Sequence, residues 1–213
     1  EGDWYDAADI YRNWTLAQKW ATTLTERTDV PESLLDSPPH ITIRVQGYID
    51  EGPAKPIEEF LPYEKSIPLL EEIARRVESS LVPIVMSWER AGPWIYPDCF
   101  PPIAGDEALA RFIGMANERG WRVGLLANDT RWVTEHFAMD YDGRKDFEER
   151  DGADSVCRLP DGEMWSTDWD TDWRPSYLGC AAQPMTKDIA TDAMKRIVGW
   201  GMESIQFFDL NFG

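Results

Sequence analysis

Val82-Pro83-Ile84-Val85-Met86-Ser87-Trp88 decides how this chain is read. The run has strand length and carries no charge, the pattern of a strand buried on both faces of a parallel sheet. Before it, a helix opened by Ser66 carries Leu69, Leu70, Ile73 and Val77. Earlier still, Ile41 to Val45 reads as a strand behind the breaks at Pro31, Pro38 and Pro39. After the run, Asp106 is expected to cap a helix with Leu109, Phe112, Ile113 and Ala116 that Gly120 stops. Val123 to Ala127 is the next short strand. Thr186 is expected to cap a helix with Ile189, Ala193 and Ile197, which Gly199 and Gly201 end before a last strand, Ser204 to Leu210. A first helix, capped by Asp3 or Asp6, is expected to run through Ile10, Trp14, Ala17, Ala21 and Leu24.

Strands alternating with helices imply parallel pairing through right-handed crossovers. No GxGxxG or GxxxxGK follows any strand, so a nucleotide-cradling doubly wound sheet lacks its signature. The fold class expected is α/β, with parallel βα repeats of TIM-barrel type. A full (β/α)8 barrel needs eight strands and roughly 250 residues, and here about four strands are used by residue 210. The chain therefore reads as the first half of such a barrel, one partial domain over 1–213 with a long excursion at 130–184, cut from a longer protein. The start at Glu1 without an initiator Met reads the same way. An open sheet edge invites either self-association or cover by the missing remainder of the protein.

Composition narrows the partners. Of 213 residues, 43% are hydrophobic and 28% charged, which rules out a disordered chain. With 39 acids against 21 bases the net charge is −18, so nucleic acid and anionic lipid are not expected partners. No run is long enough to span a bilayer. The three Cys stand far apart and form no disulfide framework, and with only two His, His40 and His136, neither metal nor other cofactor is expected. The compartment stays open. Eleven Trp are more than a core of this size needs, and flat indole faces suit the C–H faces of sugars.

In barrels the working groups stand at the C-terminal ends of strands and in the loops beyond. Those ends read Gln46, Trp88-Glu89, Asn128-Asp129 and Asp209-Leu210-Asn211. Alternation along the last strand separates Phe207, Asp209 and Asn211 from Phe208, Leu210 and Phe212. With the second set buried beneath helices, Asp209 and Asn211 would point into the mouth. Asp209 is the candidate catalytic group, and an acid that merely caps a turn is the bland alternative. Candidate substrate-binding residues are Trp88, Glu89, Trp94, Asn128, Asp129, Trp132 and Asn211. Trp94 and Tyr96 lie on a loop stiffened by Pro93 and Pro97, read as either a sugar-stacking wall or a packed lid.

Inside the excursion, Asp161-Gly162 between Val156-Cys157-Arg158-Leu159 and Met164-Trp165 reads as a β-hairpin. The stretch Asp168-Trp169-Asp170-Thr171-Asp172-Trp173 imitates a calcium loop, but Trp173 stands where the turn needs Gly and Gly179 where the bidentate Glu belongs. It reads instead as an acidic, aromatic loop, over the cleft or tucked inward.

The opening Trp4-Tyr5-Asp6-Ala7-Ala8-Asp9-Ile10-Tyr11-Arg12-Asn13-Trp14 resembles the helix leading into the barrel of certain bacterial glycoside-hydrolase-like proteins. That family is catalogued largely as a domain of unknown function. The stretch from Cys180 to Gly213 is similar to the same family, in which a Cys-containing segment precedes a helix, a Gly-rich turn and a strand ending in Asp. The resemblance implies a barrel and a carbohydrate ligand. In several clans of retaining sugar hydrolases the strand-four Asp is the nucleophile, and Asp209 matches that position. The general acid would lie on a later strand. The competing reading is a non-catalytic carbohydrate-binding or surface-scaffold domain, which has no need of Asp209 but still needs Trp94 and Trp132. The shortage of His disfavours a metal-dependent sugar isomerase.

Overall fold

A computed structural model describes residues 2–36, 38–47, 54–128, 131–166 and 175–208, with the backbone alone at 33, 34, 128, 138 and 204–208. The chain divides into two compact units, Glu1–Pro38 and Pro39–Gly213.

In the first unit, helix α1 spans Trp4–Leu16. Asp3 and Asp6 both serve its start: the Asp3 carboxylate accepts from the N–H groups of Tyr5 and Asp6, and Asp6 Oδ2 accepts from Asp3 N–H at 2.8 Å. This reciprocal box satisfies donors a helix start leaves open. The helix stops at Leu16, well short of Leu24, because Ala17, Ala21 and Leu24 extend an apolar pattern that buries nothing. Its aromatics meet one another instead: Trp4 stacks on Tyr5 at 3.6 Å, and Trp14 meets Tyr11 at 5.5 Å and Trp20 at 6.2 Å. A short helix α2, Glu32–Leu35, follows.

The second unit is built on a parallel sheet. Strands β1 (His40–Arg44), β2 (Val82–Met86), β3 (Gly124–Asn128) and β8 (Ser204–Phe208) lie in the order β1-β2-β3-β8. All three pairings are parallel, with Ile43 opposite Val85, Val85 opposite Leu125 and Leu125 opposite Ile205. Helices α3 (Ile67–Val77), α4 (Asp106–Asn117) and α6 (Pro184–Gly199) form the connections. Among the described residues β1 and β8 each pair on one side only, so the sheet has two open edges.

Ile43, Val45, Val85, Leu125 and Ala127 join Leu70, Leu109, Phe112, Ile113 and Ile197 in the main core, between sheet and helices. Val82, Ile84 and Leu126, on the opposite face, form a second cluster. These three are also buried. Both faces of β2 are covered, as its unbroken apolar run requires.

Two caps differ from expectation. The N-cap of α4 is Gly105, at φ 88°, because the Asp106 carboxylate accepts from Arg196 and from the Trp200 indole instead. The N-cap of α6 is Gln183, because Thr186 donates its hydroxyl to Ser155 O at 2.9 Å. The backbone register of β8 follows that of β3. Position 207 pairs with Ala127, a residue of the helix-side core, and position 208 with Asn128.

The excursion between β3 and α6 has its own small scaffold. Strands β4 (Arg131–Val133) and β7 (Ser176–Leu178) pair antiparallel, as do β5 (Glu135–His136) and β6 (Tyr141–Asp142), and α5 spans Arg144–Glu149. The expected hairpin is present: Arg158 bridges Met164, and Asp161 accepts from Glu163 N–H at 3.0 Å across the turn at Gly162.

Candidate functional site

At the C-terminal edge of the sheet the first two strands are tied by a side chain. Gln46 follows β1 and is buried. Its amide donates to Ser87 O and Glu89 O, both at 2.8 Å. Two carbonyls beyond the end of β2 are thereby satisfied where the ladder has stopped. Ser87 takes a φ of 59°, uncommon outside Gly, and this breaks the pleat between Met86 and Trp88.

The break sends Trp88 into the helix-side core. It is 1% exposed, donates its indole N–H to Leu126 O at 2.9 Å, and packs against Phe100 at 5.4 Å and Trp200 at 6.0 Å. Trp88 is thus a packing residue with no ring face left for a sugar, contrary to the sequence reading. Glu89 stands at the expected strand end, yet it too is buried. Its negative charge reaches two neighbours. Burial first and Glu89 second raise the Cys99 thiol far above its ordinary pKa, and burial with the charges of Glu89 and Asp106 raises the Tyr63 phenol. Both stay protonated at neutral pH, and Tyr63 donates to Ile103 O at 2.6 Å.

The loop from Glu89 to Gly105 folds back through Arg90. Its N–H donates to Cys99 O at 3.0 Å, its Nε to Phe100 O at 3.0 Å, and its guanidinium pairs with Asp98. Trp94 is half-buried on this loop at φ 62°. A bulky residue in that region is a local strain that a packed loop tolerates only when its surroundings hold it. The loop meets the excursion where Val133 N–H donates to Tyr96 O at 2.8 Å.

Trp132 does not present an open face either. It is buried edge-to-face against Phe147 at 5.2 Å, with the Arg150 guanidinium over its ring at 5.0 Å. The excursion needs a core of its own, and Trp132, Phe147 and Val156 provide it. Beside it Arg131, Thr134, His136 and Ser176 are buried polar residues, a concentration that the sequence reading missed. The signal available was Arg131-Trp132-Val133, a charge inside an apolar strand pattern. Asn128 ends β3 at the expected edge, its backbone alone described. Asp129, Asp209, Asn211 and the stretch Asp168 to Trp173 lie outside the described residues.

Two cavities flank the loop. One of about 520 Å³ lies between Tyr96, Pro97 and Phe100 and the α6 residues Asp188, Asp192 and Arg196. The other, about 300 Å³, is lined by Pro97, Asp98, Tyr141, Asp142, Asp146 and Arg150. Among the described residues no three His, Cys, Asp or Glu side chains gather as a metal site, and no helix is long and apolar enough to cross a membrane.

A parallel βα sheet with loops built over its C-terminal edge also describes the proteins this chain matches. Residues 1–205 match the family described as Domain of unknown function (DUF6259). The chain belongs to that family. No curated protein matches it in sequence. Among solved structures, the DUF6259 chain is similar to the alpha-N-acetylgalactosaminidase NagBb from Bifidobacterium bifidum, in complex with Gal-NHAc-DNJ. The TM-score is 0.67 at 16% identity, over 95% of this chain and 32% of that one. It is also similar to TtGalA, an alpha-galactosidase from Thermus thermophilus, with a TM-score of 0.51 at 19% identity, over 80% of this chain and 30% of that one. At such identities the likeness is one of fold. The DUF6259 chain spans about a third of the length of these glycosidases and shares the parallel βα architecture of part of their barrel.

Proposed function

We propose that this chain is the first part of a glycoside hydrolase barrel and that Asp209 is its nucleophile. The observation that carries the proposal is the placement of β8 as the fourth parallel strand, beside β3. Asp209 directly follows Phe208 in sequence, and this reading puts it at the edge where Gln46 and Glu89 stand. By register, position 208 shares a row with Asn128, so an Asp209 aimed into the mouth requires a break in the pleat. The fold shared with NagBb and TtGalA makes α-galactosides and α-N-acetylgalactosaminides the first substrates to try.

In the proposed step an Asp209 oxygen attacks the anomeric carbon as the glycosidic C–O bond breaks. The leaving oxygen takes a proton from a carboxylic acid on a later strand. Water, deprotonated by that same group, then releases the sugar and restores Asp209. The alternative, a non-catalytic carbohydrate-binding domain, rests on open aromatic platforms. Of the two Trp that reading needs, Trp132 is buried and Trp94 half-buried.

The test uses the full-length protein and aryl α-galactosides and α-N-acetylgalactosaminides. Asp209→Asn should lower kcat by about 10⁴-fold or more. Azide should restore turnover of an activated substrate by attacking from the vacated side, giving a glycosyl azide of inverted configuration. Unchanged hydrolysis in Asp209→Asn, or rescue with retained configuration, overturns the assignment.

A further inference from the structure

Cys157 and Cys180 stand far apart in sequence, and neither lies in a motif that pairs cysteines. The fold brings them together. Val156 and Gly179 form an antiparallel bridge, flanked by Cys157 N–H to Leu178 O at 2.7 Å and Cys180 N–H to Ser155 O at 2.8 Å. Each cysteine follows one member of that bridge. Side chains alternate along a strand and opposite residues share a face, so both thiols project from the face opposite Val156 and Gly179. They are diagonal neighbours there. Both are free and partly exposed, whereas the third cysteine, Cys99, is buried in the main core.

We propose that Cys157 and Cys180 form an oxidative cross-linking site, taking a small-molecule disulfide such as oxidised glutathione as the oxidant. In the first exchange the Cys180 thiolate attacks one glutathione sulfur, a protein–glutathione disulfide forms, and a glutathione thiolate leaves. Cys157, its diagonal neighbour, then loses its proton and attacks the Cys180 sulfur. The Cys157–Cys180 bond forms, and the second glutathione thiolate departs. Two protein thiols are oxidised, one glutathione disulfide is reduced to two thiols, and the protons balance.

The order follows from the pair. Burial first, and then the neighbouring Cys180, raise the Cys157 thiol above its ordinary range, so Cys157 is placed second in the exchange. The site has a mechanical meaning. Ser155 O accepts both Cys180 N–H and the Thr186 hydroxyl, so the root of the hairpin and the first turn of α6 already meet at one carbonyl. A disulfide makes that junction covalent.

Incubation with oxidised glutathione at mildly alkaline pH, followed by peptide mapping without reduction, tests this. The expected product is a Cys157–Cys180 cross-link within one chain, with loss of two hydrogens and Cys99 still a thiol. Cys157→Ser and Cys180→Ser should each instead hold a stable glutathione adduct on the remaining member of the pair. Trypsin cleavage after Arg158 should slow roughly tenfold or more in the oxidised protein and return to its starting rate with reductant. Glutathione adducts persisting on both cysteines of the wild-type chain, a cross-link to Cys99 or between chains, or no thiol loss would each overturn the proposal. So would cleavage at Arg158 that ignores the oxidation state.

Discussion

In the parallel sheet β1, β2, β3 and β8 each run five residues. In the excursion β4 and β7 run three, and β5 and β6 two. Five-residue strands make enough ladder bonds to need only apolar packing besides, and the main core supplies it on the helix side. Two- and three-residue strands cannot hold themselves. The excursion is held by side chains bonding to carbonyls: Thr134 to Pro175 O, Ser155 to Gly152 O, Arg158 to Ala153 O and Gly162 O. One region is stabilised by a large apolar core, the other by a small one of Trp132, Phe147 and Val156 with individual polar contacts added. They should therefore fail in different ways.

Trp88→Ala should have the largest effect and should act on the whole sheet unit. It removes a filled ring from the main core and leaves Leu126 O without its indole donor, a loss of about 3–5 kcal/mol for a Trp-to-Ala change in a core. Urea unfolding followed by tryptophan fluorescence and by circular dichroism should shift together. A shift seen by only one probe would break the idea of a single cooperative core.

Gly152→Ala should be smaller and local. A Cβ there would lie 2.8 Å from Phe147 O and closer still to the Phe147 ring, an overpacking that costs about 1–3 kcal/mol. Hydrogen exchange should quicken in α5 and residues 152–156 while the amides of β2 and β3 keep their protection. Equal loss of protection in both regions would show that the excursion and the sheet unfold as one.

The smallest effect concerns Asp142, whose carboxyl pKa is lowered to about 2 by hydrogen bonds from Arg144, first from its guanidinium and then from its backbone N–H. A depressed folded value means the contribution is present above the ordinary carboxylate range and lost as pH falls toward 2. Both partners are exposed, so the influence on stability is slight and screened by salt. A carboxyl titration by NMR should show Asp142 moving back toward the ordinary range in Arg144→Ala. An unmoved midpoint would mean that the backbone N–H alone holds it down.

The same contrast explains what the sequence disclosed. Val82 to Met86, Ile41 to Arg44 and the helix through Leu109, Phe112 and Ile113 carry the apolar periods that burial imposes, so the parallel βα order was legible. Asp106 and Thr186 carry the residue types of a cap, but tertiary partners claim both side chains, and no local rule sees a partner far along the chain. Trp88 stands at a strand end, where a substrate-binding residue is expected, and it is buried. Its burial depends on the φ of Ser87, which a serine does not announce. In the excursion, strands of two residues have no period at all. The candidate site is legible only at the level of which strand ends share an edge.

Gln46 grips the main-chain oxygens of Ser87 and Glu89. The chain at 87–89 is therefore tied to the end of β1 through groups that every residue type carries. An edge tied through main-chain oxygens keeps its strand ends together by bonds that a substitution at Ser87 or Glu89 does not itself delete.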